Sequence, residues 1–303
     1  MENLGYSKPL YILPFDHRST FAQKMFNKSS LNDLSEEEKQ MIKDFKMIIY
    51  EGFKKAVTGG IPKEYAAILV DEEFGEEVLT DAKQNGFITI LTTEKSGQEE
   101  FDFEYGEDFA AHIEKHSPIF AKVLIRYNPE DPEDLRHRQL ERLKKISVFC
   151  RENGFKFLLE VLVIANEKQK EETDNSKEKF DDLLRPALTV ADIKELQDFG
   201  IEPDIWKLEG FDTAQHYKEI VETAKENGRE NVSLVVLGRG EGEEKVEEWL
   251  RIGSKVNGVV GFAVGRTVFW QSLVDFKNRI KTREEAVYTI SANFTNFYRI
   301  FTS

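Results

Sequence analysis

Phe155-Lys156-Phe157-Leu158-Leu159-Glu160-Val161-Leu162-Val163 is apolar at almost every position, whichever face of an extended chain is read. Such a run marks a strand buried on both sides, as in a parallel sheet covered by helices. A segment of helical period, 133–153, precedes it, and Asn153-Gly154 supplies the left-handed residue that ends a helix. A second helical segment, 189–199, follows. Working outward, the same unit recurs. Strands are expected at 10–15, 66–70, 87–91, 119–126, 155–163, 204–208, 233–237 and 258–264. Helices are expected at 36–57, where Met41, Ile42, Phe45, Ile48, Ile49 and Phe53 recur on one face, and at 214–227 and 243–256. Asn85-Gly86, Phe199-Gly200 and Asn227-Gly228 repeat the helix-ending signal. Eight strand-then-helix units in 303 residues predict an α/β chain folded as one (β/α)8 TIM barrel over residues 1–303. An open doubly wound sheet is the competing arrangement, but no GxGxxG follows the first strand.

Composition narrows the function classes. A net charge of -14 argues against nucleic acid or an anionic membrane as partner, since both require a basic face. Cys150 is the single cysteine, so no intrachain disulfide forms. The first ten residues lack a basic stretch leading into an apolar one, and no apolar run is long enough to span a bilayer. A cytoplasmic protein is expected, with a homo-oligomer an open option. His112 and His116 stand four apart, but no third metal ligand stands out in sequence; no metal and no cofactor are expected. Two charged insertions follow strands, at 94–108 and 165–182; the second reads as a mobile solvated loop or as a lid over the site.

In a barrel of this kind, chemistry sits at the carboxyl ends of the strands. The polar residues there include Asp16, Arg18, Asp71, Glu94, Lys95, Lys122, Arg126, Glu160, Lys207 and Glu209. Lys122, Glu160 and Lys207 lie inside strands, where a charge must be paired, shifted or functional. Alternate strands share interior layers, which lets Lys122 and Lys207 approach each other with Glu160 beside them. A neighbouring ammonium disfavours protonation of an amine, and a neutral lysine attacks ketones to form imines. A nearby carboxylate can move the protons that this requires. Gly238-Arg239 and Gly265-Arg266 follow the last two strands, where barrels commonly bind phosphate. A phosphorylated sugar or sugar acid is the implied substrate, drawn in by this local positive site against the global charge.

The motifs resemble those of the bacterial class I aldolases of the tagatose-1,6-bisphosphate aldolase type. The elements that carry the resemblance are Phe15-Asp16-His17-Arg18, Val70-Asp71-Glu72-Glu73-Phe74-Gly75 and Glu94-Lys95-Ser96-Gly97. They continue with Lys122-Val123-Leu124-Ile125-Arg126-Tyr127, Leu159-Glu160 and Trp206-Lys207-Leu208-Glu209. The first segment is similar also to the aldolase-like domain fused to 5-dehydro-2-deoxygluconokinase in myo-inositol catabolism. The resemblance implies a lyase with Lys207 forming the Schiff base, Glu160 as acid and base, and Asp16 and Lys122 holding and tuning it. Arg18, Glu94, Lys95, Arg126, Gly238, Arg239, Gly265 and Arg266 are the expected substrate and phosphate contacts. The implied substrate is 6-phospho-5-dehydro-2-deoxygluconate, split into dihydroxyacetone phosphate and malonate semialdehyde. Tagatose-1,6-bisphosphate, a sulfosugar phosphate, an imine-free isomerase or epimerase, and a non-catalytic sugar-phosphate-binding barrel are the alternatives.

Overall fold

Every one of the eight expected apolar runs forms a strand, and each strand pairs in parallel with its sequence neighbours. The computed structural model describes residues 4–303. Its strands are β1 (Leu10–Pro14), β2 (Ala66–Val70), β3 (Ile88–Thr92), β4 (Phe120–Tyr127), β5 (Lys156–Val163), β6 (Ile205–Glu209), β7 (Ser233–Leu237) and β8 (Val259–Ala263). β8 pairs back onto β1 and closes the barrel in the order 1 to 8, so no sheet edge is left open.

Twelve α-helices among the described residues surround it. They are α1 (Ser19–Phe26), α2 (Glu36–Thr58), α3 (Glu72–Gln84), α4 (Phe109–His116), α5 (Glu133–Asn153), α6 (Glu167–Glu172), α7 (Lys177–Leu183), α8 (Arg185–Asp198), α9 (Ala214–Lys225), α10 (Glu243–Gly253), α11 (Arg266–Lys277) and α12 (Arg283–Thr302). The strand ends differ from the sequence reading by at most a residue, and α1, α3, α4, α6, α7, α11 and α12 lie outside the helix ranges it gave. α12 packs along α2, where Gly52 lets Ile290 approach; a Cβ at Gly52 would lie 2.5 Å from Ile290 Cγ2.

The segment 165–182 is neither bare solvated loop nor unattached cover. It folds into α6 and α7, each started by a side-chain cap, from Asn166 and Ser176. Gln169, Thr173 and Phe180 are buried, and Asn128 donates to Gln169 Oε1 at 2.6 Å. A charged composition concealed these few anchoring positions. The segment 94–108 is likewise anchored, by the buried rings of Phe101 and Phe103 and by a bridge between Glu94 and Phe103.

Inside the barrel, alternate strand positions point to the axis. Leu10, Ile12, Ala67, Leu69, Ile90, Phe120, Leu158, Ile205, Val235 and Ala263 fill its lower part as a fully buried apolar plug. Tyr6 packs beneath it, edge-on to Phe120 at 5.2 Å. One step further along β4, β5 and β6, the same alternation places Lys122, Glu160 and Lys207 on top of that plug.

Candidate active site

The strand ends open into a cleft of about 340 Å³ lined by Asp16, Arg18, Glu94, Lys122, Arg126, Glu160, Lys207, Arg239, Arg266 and their neighbours. Strand register sets the floor: Leu124, Glu160 and Lys207 pair at one level, with Lys122 two residues lower on β4. A single carboxylate oxygen, Glu160 Oε2, lies 2.5 Å from Lys207 Nζ and 3.1 Å from Lys122 Nζ. Lys122 also contacts Asp16 at 2.9 Å and Glu94 at 2.5 Å. All four of its groups are nearly shut off from solvent, Asp16 being the most exposed at 12%.

This arrangement differs from a pair of facing ammonium groups. The immediate neighbour of Lys207 is the carboxylate of Glu160, which stands between the two lysines. Three carboxylates surround Lys122, and although burial disfavours its charge, Asp16, Glu94 and Glu160 push its pKa well above the ordinary lysine value. Burial would raise the Asp16 and Glu160 carboxyls, but the lysines outweigh it and both stay below their ordinary values. Lys122 is therefore held as a cation, and the Glu160 carboxylate lies within hydrogen-bond reach of the Lys207 amine. Burial pushes the neighbouring His17 imidazole down to about 4 despite Asp16, so it is neutral at physiological pH.

The other expected contacts fall into two groups. Arg126 and Arg266 reach the cleft and make no ion pair among the described residues. Arg126 donates to the Gln98 carbonyl, and Arg266 to the Arg239 carbonyl at 3.4 Å. Arg266 opens α11, directly after Gly265, so the segment that carries its guanidinium into the cleft also carries the free N–H groups of a helix start. The remaining cations are already engaged: Arg18 with Glu104 at 2.7 Å and the Glu94 carbonyl at 2.5 Å, Lys95 with Asp102 at 2.5 Å, and Arg239 with Asp181 at 2.9 Å and with Glu209. Gly238 begins the loop that bears Arg239. Asp71 turns away from the chemistry; it caps α3 through Phe74 N and pairs with Lys46.

Lys46 escaped the sequence reading although its signal was present, because it interrupts the apolar face of α2 between Ile42 and Ile49. Fully buried, it donates to the carbonyls of Phe15 at 2.8 Å and His17 at 3.2 Å, and so fixes the turn that carries Asp16. Glu104 and Gln98 were missed because their partners lie on other elements.

The two spaced histidines find a companion that the sequence did not suggest. Glu72 lies 2.6 Å from His112 Nδ1 and 3.0 Å from His116 Nε2. Glu72, Glu76 and His116 present atoms close enough to share a cation, but Lys115 Nζ already lies 2.8 Å from Glu72 and 2.9 Å from Glu76. None of these residues lines the cleft.

A lysine–carboxylate centre on an apolar plug, beneath a mouth carrying two guanidinium groups without an ion pair among the described residues, thus lies at the carboxyl ends of the strands of a (β/α)8 barrel. The chain belongs to the family described as "Uncharacterized protein conserved in bacteria (DUF2090)", whose model matches residues 5–303. It is 27% identical over 164 residues to proteins named tagatose 1,6-diphosphate aldolase from Listeria monocytogenes and Listeria innocua. The match takes in 52% of this chain and 47% of theirs, so the chain spans about half the length of the curated relatives it matches. Among solved structures it is similar to Cgl0159 from Corynebacterium glutamicum, with a TM-score of 0.58 at 15% identity over 97% of this chain and 88% of that one. A fructose-bisphosphate aldolase from Slackia heliotrinireducens gives a TM-score of 0.56 at 11% identity over 94% and 86%. At such identities these likenesses concern the fold. No described helix is long and apolar enough to cross a membrane.

Proposed function

We propose that the protein is a class I aldolase whose imine forms on Lys207, acting on a phosphorylated keto-sugar or keto-sugar acid. The observation that carries this reading is the contact of 2.5 Å between Lys207 Nζ and Glu160 Oε2 on the floor of the cleft. Glu160 takes a proton from the Lys207 ammonium, and the free amine adds to the substrate ketone. Glu160 returns that proton to the carbinolamine hydroxyl, which leaves as water and gives an iminium ion. Glu160 next removes the proton of the hydroxyl two carbons from the iminium carbon. The bond between that hydroxyl-bearing carbon and the carbon next to the iminium breaks, its electron pair forms the enamine double bond as the iminium pair moves to nitrogen, and the aldehyde departs. Protonation of the enamine and hydrolysis of the imine release the phosphorylated ketone and restore Lys207. Lys122 keeps Asp16 ionised and favours the return of Glu160 to its carboxylate form after each proton transfer.

Arg266 and the N–H groups following Gly265 hold the phosphate, and Arg126 faces the substrate from the strand opposite β8. The favoured substrate is 6-phospho-5-dehydro-2-deoxygluconate, with dihydroxyacetone phosphate and malonate semialdehyde as products; tagatose-1,6-bisphosphate and sulfosugar phosphates are the other candidates for turnover assays. Borohydride trapping with dihydroxyacetone phosphate tests the mechanism. One reduced adduct on the Lys207 peptide is expected, and none in Lys207→Met. An adduct that persists in the variant, or no adduct in the native protein, removes the imine reading. Phosphate-dependent stabilisation without turnover on the whole panel favours a non-catalytic binding barrel.

A further inference from the structure

Arg239 is not a glycine, yet its backbone is left-handed, with φ of 47°, and Gly240 follows at 80°. A side chain in that region is uncommon and persists where surrounding contacts hold it. Here two carboxylates hold it. Glu209, buried at the end of β6 two residues beyond Lys207, meets Arg239 Nε, and Asp181 on α7 accepts from Arg239 Nη1 at 2.9 Å. Asp181 is shared: Arg185, the first residue of α8, donates to the same oxygen at 2.8 Å and to the Gly210 carbonyl at 2.8 Å. Two arginines and two carboxylates thus form a charge-balanced quartet, linked in the order Arg185, Asp181, Arg239, Glu209, that joins α7, α8, β6 and the loop after β7. The insertion touches that loop a second time, through the ion pair of Lys177 with Glu241. The loop in turn supplies the Arg239 carbonyl that accepts from Arg266 Nη2 at 3.4 Å.

We infer that the α6–α7 insertion sets the shape of the anion-binding loop, with Asp181 as its positioning residue and Arg239 as a staple rather than a phosphate ligand. This rests on the proposed placement of phosphate at Arg266. Because Glu209 and Lys207 share a strand, the quartet fixes the loop at a set distance from the reacting amine. Loss of Asp181 removes one of two carboxylates from a left-handed arginine and, among the described residues, the only one from Arg185, so the loop relaxes and the Arg266 guanidinium loses its backbone support.

The test is the binding of inorganic phosphate measured by calorimetry on the intact protein, beside borohydride trapping of dihydroxyacetone phosphate and of unphosphorylated dihydroxyacetone. Asp181→Asn weakens phosphate about tenfold, and it raises the half-trapping concentration of the phosphorylated ketone to a similar extent. Trapping of dihydroxyacetone is unchanged. Asp181→Glu recovers most of the affinity, which a general loss of packing would not allow. Lys177→Met, at a half-exposed pair, gives a smaller loss of about two- to threefold and decides the matter if Asp181→Asn does not fold. Native phosphate affinity in Asp181→Asn, or in Lys177→Met should that variant have to stand in, overturns the inference, as does a native protein that binds no phosphate. Phosphate binding that depends on Asp181 in a protein that forms no adduct keeps this inference and removes the aldolase reading instead.

Discussion

Gly240→Ala separates the stability of the barrel from the function of its mouth. Gly240 has φ of 80°, and a Cβ built there would lie 2.0 Å from Arg266 Nη2. Comfortable contacts of this kind are about 3.5 Å, so the guanidinium must retreat by about 1.5 Å. It is the far end of a flexible side chain, so the retreat costs little. The fold loses only what a left-handed alanine costs, about 1–2 kcal/mol. The consequence for an anion is larger. A charge-assisted hydrogen bond is worth about 1.5–3 kcal/mol and does not survive a shift of that size. Since each 1.36 kcal/mol is a factor of ten, kcat/KM for a phosphorylated substrate falls about ten- to a hundredfold. The assay is kcat/KM on the phosphorylated substrate and its dephosphorylated analogue, with a denaturant melt as control. Selective loss on the phosphorylated compound is the expected outcome. Equal loss on both, or no loss on either, would refute the placement of phosphate at Arg266.

Glu160→Gln keeps the side-chain shape and removes the base. A kcat lower by about 10²–10⁴-fold is expected, with slow trapping at Lys207 retained; a kcat within threefold of native would transfer the acid–base role elsewhere. Its stability cost stays below the roughly 3–5 kcal/mol of a fully orphaned buried charge, because Lys122 keeps Asp16 and Glu94 and the glutamine carbonyl oxygen can still accept from Lys207. Asp192 is a separate matter: it is buried, neither of its oxygens has a hydrogen-bond partner among the described residues, and burial followed by Asp131 raises its pKa well above the ordinary value. The unfolded chain then loses this proton first, so the contribution is complete below about pH 4 and declines as pH rises toward the folded value. Asp192→Asn should be more stable than the native protein at pH 7 by about 1–3 kcal/mol, with the advantage fading toward pH 4. Guanidinium melts from pH 4 to 8 that run parallel for the two proteins would contradict this.

The barrel was legible because its evidence is local. Apolar runs such as Phe155–Val163 and the glycines that end helices, such as Gly154, record strand and helix within a few residues of themselves. The placement of Lys122, Glu160 and Lys207 on one floor followed from strand alternation alone. What neighbours do to one another was not legible. That Glu160 stands between the lysines, that Glu104 occupies Arg18, and that Asp181 occupies Arg239 are contacts between residues far apart in the chain. The insertion at 165–182 misled for a related reason: Gln169 and Phe180 anchor it, and two buried residues scarcely alter the composition of a charged segment.

The apolar plug, with Tyr6 packed beneath it, closes the barrel under the charged floor, and the cleft above opens at the mouth. Once a substrate covers Lys207 and Glu160, the carboxyl has no second route by which to exchange its hydrogen with bulk solvent. A hydrogen removed from carbon during turnover would then return to product in preference to one from water. In deuterated buffer, a ketone phosphate incubated with the protein and an aldehyde should take up deuterium at carbon more slowly than the carbon–carbon bond is made and broken, so the barrel would act as a sealed vessel for its own proton.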